Sequence, residues 1–127
     1  MKEIVINGID GYIKIHYKLQ QIEIVSANFK AKGELVIDKK EIFKIRNEFE
    51  TCINCDNNKH YQVRYNFKND IFGFELRCHG EEDIVFLLGM YCEDKYNYHR
   101  IEFGFDIKKE TIKKIILDID NSFVEKL

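Results

Sequence analysis

The sequence predicts an α+β fold: an antiparallel β-meander of about 6–8 strands packed with two amphipathic helices, at about 38–54 and 107–124. Segments of alternating polar and apolar residues are separated by short Gly, Asn and Asp turns. Two other stretches repeat their apolar residues at helical spacing instead. With 127 residues, 45% of them hydrophobic and 33% charged, the chain is expected to form a single globular α+β domain over residues 1–127.

The first third of the chain predicts strands. Residues 3–6 form a short strand that Asn7 and Gly8 close. Residues 11–19 alternate well, which predicts a strand that continues to Leu19. Residues 22–37 predict one or two further strands, with a break at Lys32 and Gly33.

The first helix is predicted to begin after Asp38. Asp38 is a favoured N-cap residue, and Glu41 three positions later gives a pattern like a capping box. The apolar residues that follow repeat at helical spacing and predict a buried stripe: Ile42, Ile45, Phe49, Cys52 and Ile53.

Four strands are then predicted to pair as an antiparallel meander, because short turns join them: 60–67, 71–79, 84–92 and 98–107. In the first hairpin, the apolar faces coincide only if Asn69 and Asp70 form a two-residue turn. This register predicts three cross-strand pairs: Tyr65 with Phe74, Val63 with Leu76, and Arg64 with Glu75. The last of these is expected to be an ion pair on the polar face.

The second helix is predicted from a regular apolar stripe. Its members lie at positions i, i+3, i+4, i+7 and i+11: Ile112, Ile115, Ile116, Ile119 and Phe123. Such a stripe is typical of a helix laid on a sheet.

The strand at 84–92 is apolar on both of its faces, so neither face is expected to be fully solvated. One face carries Ile84, Phe86, Leu88 and Met90. The N-terminal strands, the second helix and a partner are three alternatives for what covers it.

Composition excludes several functional classes. The net charge of −2 gives no basic footprint for nucleic acid. The N-terminus lacks the pattern of an export signal, and no apolar run approaches the ~20 residues of a membrane helix. We therefore expect a cytoplasmic protein with no membrane and no nucleic-acid partner.

The four cysteines include a CxxC motif at Cys52 and Cys55. A redox CxxC lies at a helix N-terminus, whereas this one lies at a predicted C-terminus, where the dipole does not favour a thiolate. A zinc site would need two further ligands, for which Cys78, His79, His60 and Cys92 are the candidates. The interpretation we favour is that the cysteines are small buried residues and that the chain binds no metal or cofactor.

We find no catalytic set. Neither Ser26 nor Ser122 lies in a nucleophile-elbow motif, and Gly8 and Gly11 lack the rest of a phosphate-binding loop. The prediction is that the chain is not an enzyme.

Acidic turns at the two ends of the meander are the candidate partner-binding surfaces. Strand order places Asp70, Glu93 and Asp94 at one end, flanked by Tyr96 and Tyr98. The other end carries a second group: Glu81, Glu82 and Asp83. Acidic groups favour fast, salt-sensitive association with a basic protein, and Tyr is frequent in interfaces. An ordinary solvated rim is the alternative.

The chain resembles the WapI-type bacterial immunity proteins, which are encoded beside polymorphic or contact-dependent toxins. The resemblance rests on NGIDGYIKI at 7–15, on the helix after Asp38 and the meander, and on IEFGFDI at 101–107 before the last helix. It departs from the family pattern in having no Trp, with Phe29 the nearest aromatic residue.

The resemblance implies a protein that binds a cognate toxin domain, often a nuclease, and occludes its active site. The alternative is a non-enzymatic ligand-binding or accessory domain that uses the apolar face of strand 84–92. Either a monomer or a homodimer fits the sequence.

Overall fold

The computed structural model describes residues 3–27, 29–54, 60–66, 71–79, 83–92 and 100–123, with the backbone alone for 60–66 and 79. The architecture is α+β, with two four-stranded antiparallel sheets and two helices. Each sheet is a simple meander in chain order. The predicted strands divide between two sheets, and the first helix lies between the fourth strand and the fifth.

The N-terminal sheet contains β1 (Glu3–Asn7), β2 (Gly11–His16), β3 (Gln21–Ser26) and β4 (Phe29–Glu34). Its register pairs Ile4 with Ile15, and Ile15 with Ile22. Side chains alternate between the two faces of a strand, so one face of this sheet is lined by isoleucines. All six are buried: Ile4, Ile6, Ile13, Ile15, Ile22 and Ile24.

Two predicted boundaries in this sheet were wrong. β2 ends at His16 and a turn follows, in which Gln20 has a left-handed φ of 54° and Leu19 is 65% exposed. The third strand ends before Ala27, whose φ is 52°, and Gly33 lies inside β4. Alternation alone does not locate such turns, because neither Gln nor Ala is a typical residue for positive φ.

The C-terminal sheet contains β5 (His60–Asn66), β6 (Phe72–His79), β7 (Ile84–Cys92) and β8 (Arg100–Lys108). The predicted register is confirmed, because Val63 pairs with Leu76, Arg64 with Glu75 and Tyr65 with Phe74. The predicted turn at Asn69 and Asp70 and the side chain of Arg64 lie outside the described residues.

Helix α1 (Lys39–Ile53) begins where it was predicted, with Asp38 as its N-cap. Asp38 Oδ1 accepts a hydrogen bond of 2.8 Å from the backbone N of Glu41. The reciprocal half of a capping box is missing. The Glu41 carboxylate is buried, and neither of its oxygens has a hydrogen-bond partner among the described residues.

Helix α2 (Lys109–Phe123) follows β8 directly, and its predicted stripe is confirmed, since all five members are buried. It packs against α1, β1 and β8. Arg46 of α1 joins the two helices by donating hydrogen bonds to both carboxylate oxygens of Asp120, from Nε at 2.9 Å and from Nη2 at 3.1 Å. Neither α1 nor α2 has the length and apolar content that crossing a bilayer requires.

One continuous core joins the sheets and helices. Phe49 of α1 stacks on Phe74 of β6, with 5.6 Å between ring centroids. Tyr17 meets Phe123 of α2 edge-on at the same separation. The core therefore occupies the isoleucine face of the N-terminal sheet and one face of the C-terminal sheet. We call the opposite face of each sheet its outer face.

Candidate functional site

Most of the residues predicted to bind a partner lie outside the described residues: Asp70, Glu81, Glu82, Glu93, Asp94, Tyr96 and Tyr98. Asp83 is described. It is exposed immediately before β7, and its carbonyl oxygen accepts a hydrogen bond of 2.8 Å from the backbone N of Lys109. This bond places Asp83 at the end of the C-terminal sheet where α2 begins.

The outer face of the C-terminal sheet exposes the row of apolar side chains along β7, Ile84, Phe86, Leu88 and Met90, which we call the apolar row. Ile84 is 39% exposed, and Phe86 and Leu88 are each 37% exposed. Met90 is half-buried. The described part of the chain therefore leaves open the face that the sequence led us to expect to be covered.

Phe86 is held in place by the strand beside it. A Cβ atom added to Gly104 of β8 would lie 2.7 Å from Phe86 Cζ. The ring thus lies against the backbone of Gly104, closer than it could lie if position 104 carried a side chain. A large aromatic ring fixed on a sheet presents contact area at little entropic cost on binding.

An ion pair borders the apolar row on β6. Glu75 is 6% exposed, and its Oε2 accepts hydrogen bonds from Arg77 Nε at 2.9 Å and lies 2.8 Å from Arg77 Nη2. The Arg77 side chain is itself about half exposed. Because a buried carboxylate holds its guanidinium, Arg77 is oriented before any partner arrives.

Charged residues border the other side of the row, on β8. Asp106 and Lys108 are exposed beside Phe86 and Ile84, their cross-strand neighbours. Near Met90, Glu102 Oε1 lies 3.0 Å from Arg100 Nη2. The surface combines an apolar centre with a charged border of both signs, as protein interfaces do.

A second candidate surface, which the sequence analysis missed, is the outer face of the N-terminal sheet. Glu23 accepts a hydrogen bond of 2.9 Å from Tyr12 Oη and lies within 3.5 Å of the Nζ atoms of Lys30 and Lys32. The bond to Glu23 raises the pKa of Tyr12, and the bond from Tyr12 lowers the pKa of Glu23.

An open depression of about 810 Å³ lies on this face, with Lys14, His16, Glu23 and Lys32 in its lining. His16 Nδ1 lies 3.2 Å from Glu3 Oε2, and Lys14 Nζ lies 3.9 Å from Glu3 Oε1. The charged side chains named here form ion pairs with one another within the chain. The alternating polar residues of β2 indicate a polar face on this strand. The sequence does not show which charges meet there, because these contacts depend on how β2 pairs with β1 and β3, and β3 with β4.

The three described cysteines, Cys52, Cys78 and Cys92, are buried free thiols, and Cys78 Sγ lies 3.5 Å from the carbonyl oxygen of Cys52. This burial is the one we expected for small apolar side chains. Cys55, the second cysteine of the CxxC motif, lies outside the described residues. Across the described ranges, no three His, Cys, Asp or Glu side chains come together as metal ligands.

The two sequence segments that carry the family resemblance, 7–15 and 101–107, meet in the structure. Ile9 donates a backbone hydrogen bond of 2.8 Å to the carbonyl oxygen of Asp106. The ring of Phe105 lies so close to Gly8 and Gly11 that a Cβ atom on either would fall 2.1 Å and 3.0 Å from it. No family model matches this chain, and no curated protein matches it.

Proposed function

We propose that this chain is a bacterial immunity protein, which binds a cognate toxin domain in the cytoplasm and occludes its active site without catalysing a reaction. The observation that carries this proposal is the contact between segments 7–15 and 101–107. These are the segments on which the resemblance to WapI-type immunity proteins rests. They lie far apart in the chain, yet they form one junction between the two sheets.

The junction gives a physical reason for the glycines in the first segment. Phe105 occupies the space that a side chain at position 8 would need, and a side chain at position 11 would meet the carbonyl oxygen of Val25 first and Phe105 next. Ser26 adds a hydrogen bond of 2.9 Å from Oγ to the carbonyl oxygen of Gly104. The sequence pattern therefore has a structural role, which supports a shared fold as the source of the resemblance.

The acidic turns are the surfaces that we propose for the toxin. Nuclease toxins act on a polyanion, so their active sites carry positive potential, and an acidic surface complements it. Asp83 is exposed at the sheet end where α2 begins, which leaves its carboxylate accessible to a partner. Association through such groups should be fast and should weaken with salt.

The direct test is co-expression with the protein encoded beside this one. The neighbour alone should arrest growth, and co-expression should restore growth and yield a complex. A neighbour that is not toxic would refute the proposal, as would one that stays toxic beside a folded copy of this chain.

Two sets of variants identify the surface and serve as controls for each other. One set replaces Asp70, Glu93 and Asp94 by Asn, Gln and Asn; the other replaces Glu81, Glu82 and Asp83 by Gln, Gln and Asn. One set should weaken the complex at least tenfold and reduce its salt dependence, and the other should not. Equal affinity for both variants and the wild type would refute the acidic turns as the binding surface.

The exposure of the apolar row supports a second candidate function, a non-enzymatic ligand-binding or accessory domain that uses this face. One variant distinguishes the two candidate functions. Phe86→Ser would abolish binding to the row, because it removes the ring at the centre. The same change would leave neutralisation through the acidic turns intact.

A further inference from the structure

The outer face of the C-terminal sheet has a charge pattern that is complementary to itself. The register sets Arg77, Phe86 and Asp106 side by side across three strands. One line across the sheet thus carries a cation, an aromatic ring and an anion. On the next line, Glu75, Leu88 and Gly104 lie side by side.

We propose that a second copy of this chain covers the apolar row, face to face, about a two-fold axis that runs within about 15° of the direction of β7. Rotation about this axis exchanges the β6 side of one copy with the β8 side of the other. Phe86 then meets Phe86 of the second copy, and Arg77 meets Asp106 of the second copy twice. Such an interface is closed and limited to two copies.

The unpaired charge in this pattern is Asp106. It is exposed, and its side chain has no ion-pair partner in the ranges that the structure describes. The opposing group, Arg77, is already oriented by Glu75 and still has donors directed to solvent. Glu75 would meet Gly104, so the rotation brings no second carboxylate against the buried one.

The usual geometry of packed sheets permits these contacts. Face-to-face sheets lie about 10 Å apart and cross at about 30°. Arg77 and Asp106 lie one strand away from the axis, about 4.8 Å. A crossing of about 30° moves such a residue by only about 2.5 Å, which an arginine side chain spans easily.

The size of the face sets the expected affinity. Three strands of nine residues or fewer cover a patch roughly 30 Å long and roughly 15 Å wide. Two such patches bury an area near the lower limit for specific interfaces, about 1,200 Å². We therefore expect a dimer that dissociates on dilution, with a Kd in the range of about 1–100 μM.

Sedimentation equilibrium of the full chain from about 1 to 500 μM tests the proposal. The wild type should convert from monomer to dimer across this range. Asp106→Arg should raise the dimer Kd at least tenfold, because it sets two cations against each other at both contacts. Asp118→Arg makes the same charge change on an exposed turn of α2, away from the face, and should leave the Kd unchanged.

Cysteine cross-linking tests the direction of the axis. Leu88→Cys should form a disulfide-linked dimer on mild oxidation, with a copper–phenanthroline catalyst and dioxygen as the oxidant, because position 88 meets itself and the Phe86 ring stays in place. The wild type, whose described cysteines are buried, is the control. If instead Leu88→Cys cross-links only with Met90→Cys, the axis runs across the strands and the proposed arrangement is wrong.

Three results would overturn the proposal. The first is a wild type that stays monomeric at about 500 μM, the highest concentration tested, and the second is a dimer that Asp106→Arg leaves intact. The third result is a monomeric wild type whose binding to the neighbouring protein is abolished by Asp106→Arg. The last would assign the face to that protein. A monomeric wild type would leave the immunity proposal standing, because its test is rescue of growth. Circular dichroism melts confirm that each variant is folded.

Discussion

Tyr91 of β7 lies directly over Gly33 of β4, and this contact joins the two sheets. Its hydroxyl donates a hydrogen bond of 3.0 Å to the carbonyl oxygen of Glu34. A Cβ atom at position 33 would lie 2.0 Å from Tyr91 Oη and 2.7 Å from Cζ. Gly33, where the sequence predicted a break in the strand, is therefore the place where the second sheet reaches the backbone of the first.

Gly33→Ala should lower the free energy of unfolding by about 1–3 kcal/mol, the usual cost of overpacking. Tyr91 is buried, so its ring cannot move aside without losing the bond to Glu34. Tyr91→Phe should cost about 0.5–1.5 kcal/mol through the lost hydrogen bond. In the Tyr91→Phe background Gly33→Ala should cost less, because the nearest clashing atom is gone. Urea unfolding of the four proteins measures this coupling, and strictly additive effects would contradict it.

Asp120→Asn should lower the free energy of unfolding by about 0.5–1 kcal/mol, because it breaks the two-point contact with Arg46. The bond to Asp120 raises the pKa of Arg46, and Glu50 also pairs with the same guanidinium. Arg46→Lys in the wild type should lower the free energy of unfolding by a similar amount, because an ammonium group cannot bind both oxygens in this way. Asp118→Asn, two positions away and exposed, is the matched control and should change the unfolding midpoint little.

Glu41→Met should raise the free energy of unfolding by about 1 kcal/mol, because it removes a buried carboxylate that has no hydrogen-bond partner among the described residues. The nearest cation, Lys44 Nζ, lies 3.9 Å from Oε1 and is mostly exposed. Glu41→Gln, which keeps a buried polar group, should gain less. A loss of stability on Glu41→Met would mean that the favourable position of the charge at a helix N-terminus outweighs its burial.

Asp38→Ala should lower the free energy of unfolding by about 1 kcal/mol, the usual cost of losing an N-cap. Asp38 Oδ1 accepts the bond from the backbone N of Glu41. Asp38→Asn keeps an acceptor at the same place and should be nearly neutral. Equal losses in the two variants would show that the charge matters more than the hydrogen bond.

Tyr12→Phe should change the pH dependence of stability at both extremes. The pKa of Glu23 is lowered by its bond from Tyr12, so this contribution is complete above the pKa of an unfolded glutamate. It is lost as the pH falls through the folded pKa. The pKa of Tyr12 is raised by its bond to Glu23, so its contribution is complete below the pKa of an unfolded tyrosine and is lost as the pH rises through the folded one.

The stability difference between the wild type and Tyr12→Phe should therefore be greatest at intermediate pH and shrink at both ends. Thermal melts across the pH range measure it, and NMR titration of Glu23 should show its carboxyl pKa moving back towards the ordinary value in the variant. Tyr17→Phe removes a hydroxyl elsewhere and is the control. A constant difference at every pH would contradict the coupling.

Local patterns in the sequence predicted much of this fold. The apolar stripe of α2 and the cap of α1 depend on residues within a few turns of each other, so helical spacing identifies them. The register of β5 and β6 followed from matching two apolar faces, because a shift of one residue would turn every side chain to the wrong face. Asp38, Val63 with Leu76, and the Ile112 stripe all lie where they were predicted.

The tertiary structure alone decided how the pieces meet, because such contacts join residues whose separation in the chain carries no pattern. The two turns that divide the N-terminal sheet have their positive φ at Gln20 and Ala27, which are not residue types that favour it. The sequence by itself determined that one face of strand 84–92 carries Ile84, Phe86, Leu88 and Met90. Only the assembled sheets showed that the described residues leave this row open, with Phe86 fixed on Gly104, because burial depends on where every other element packs.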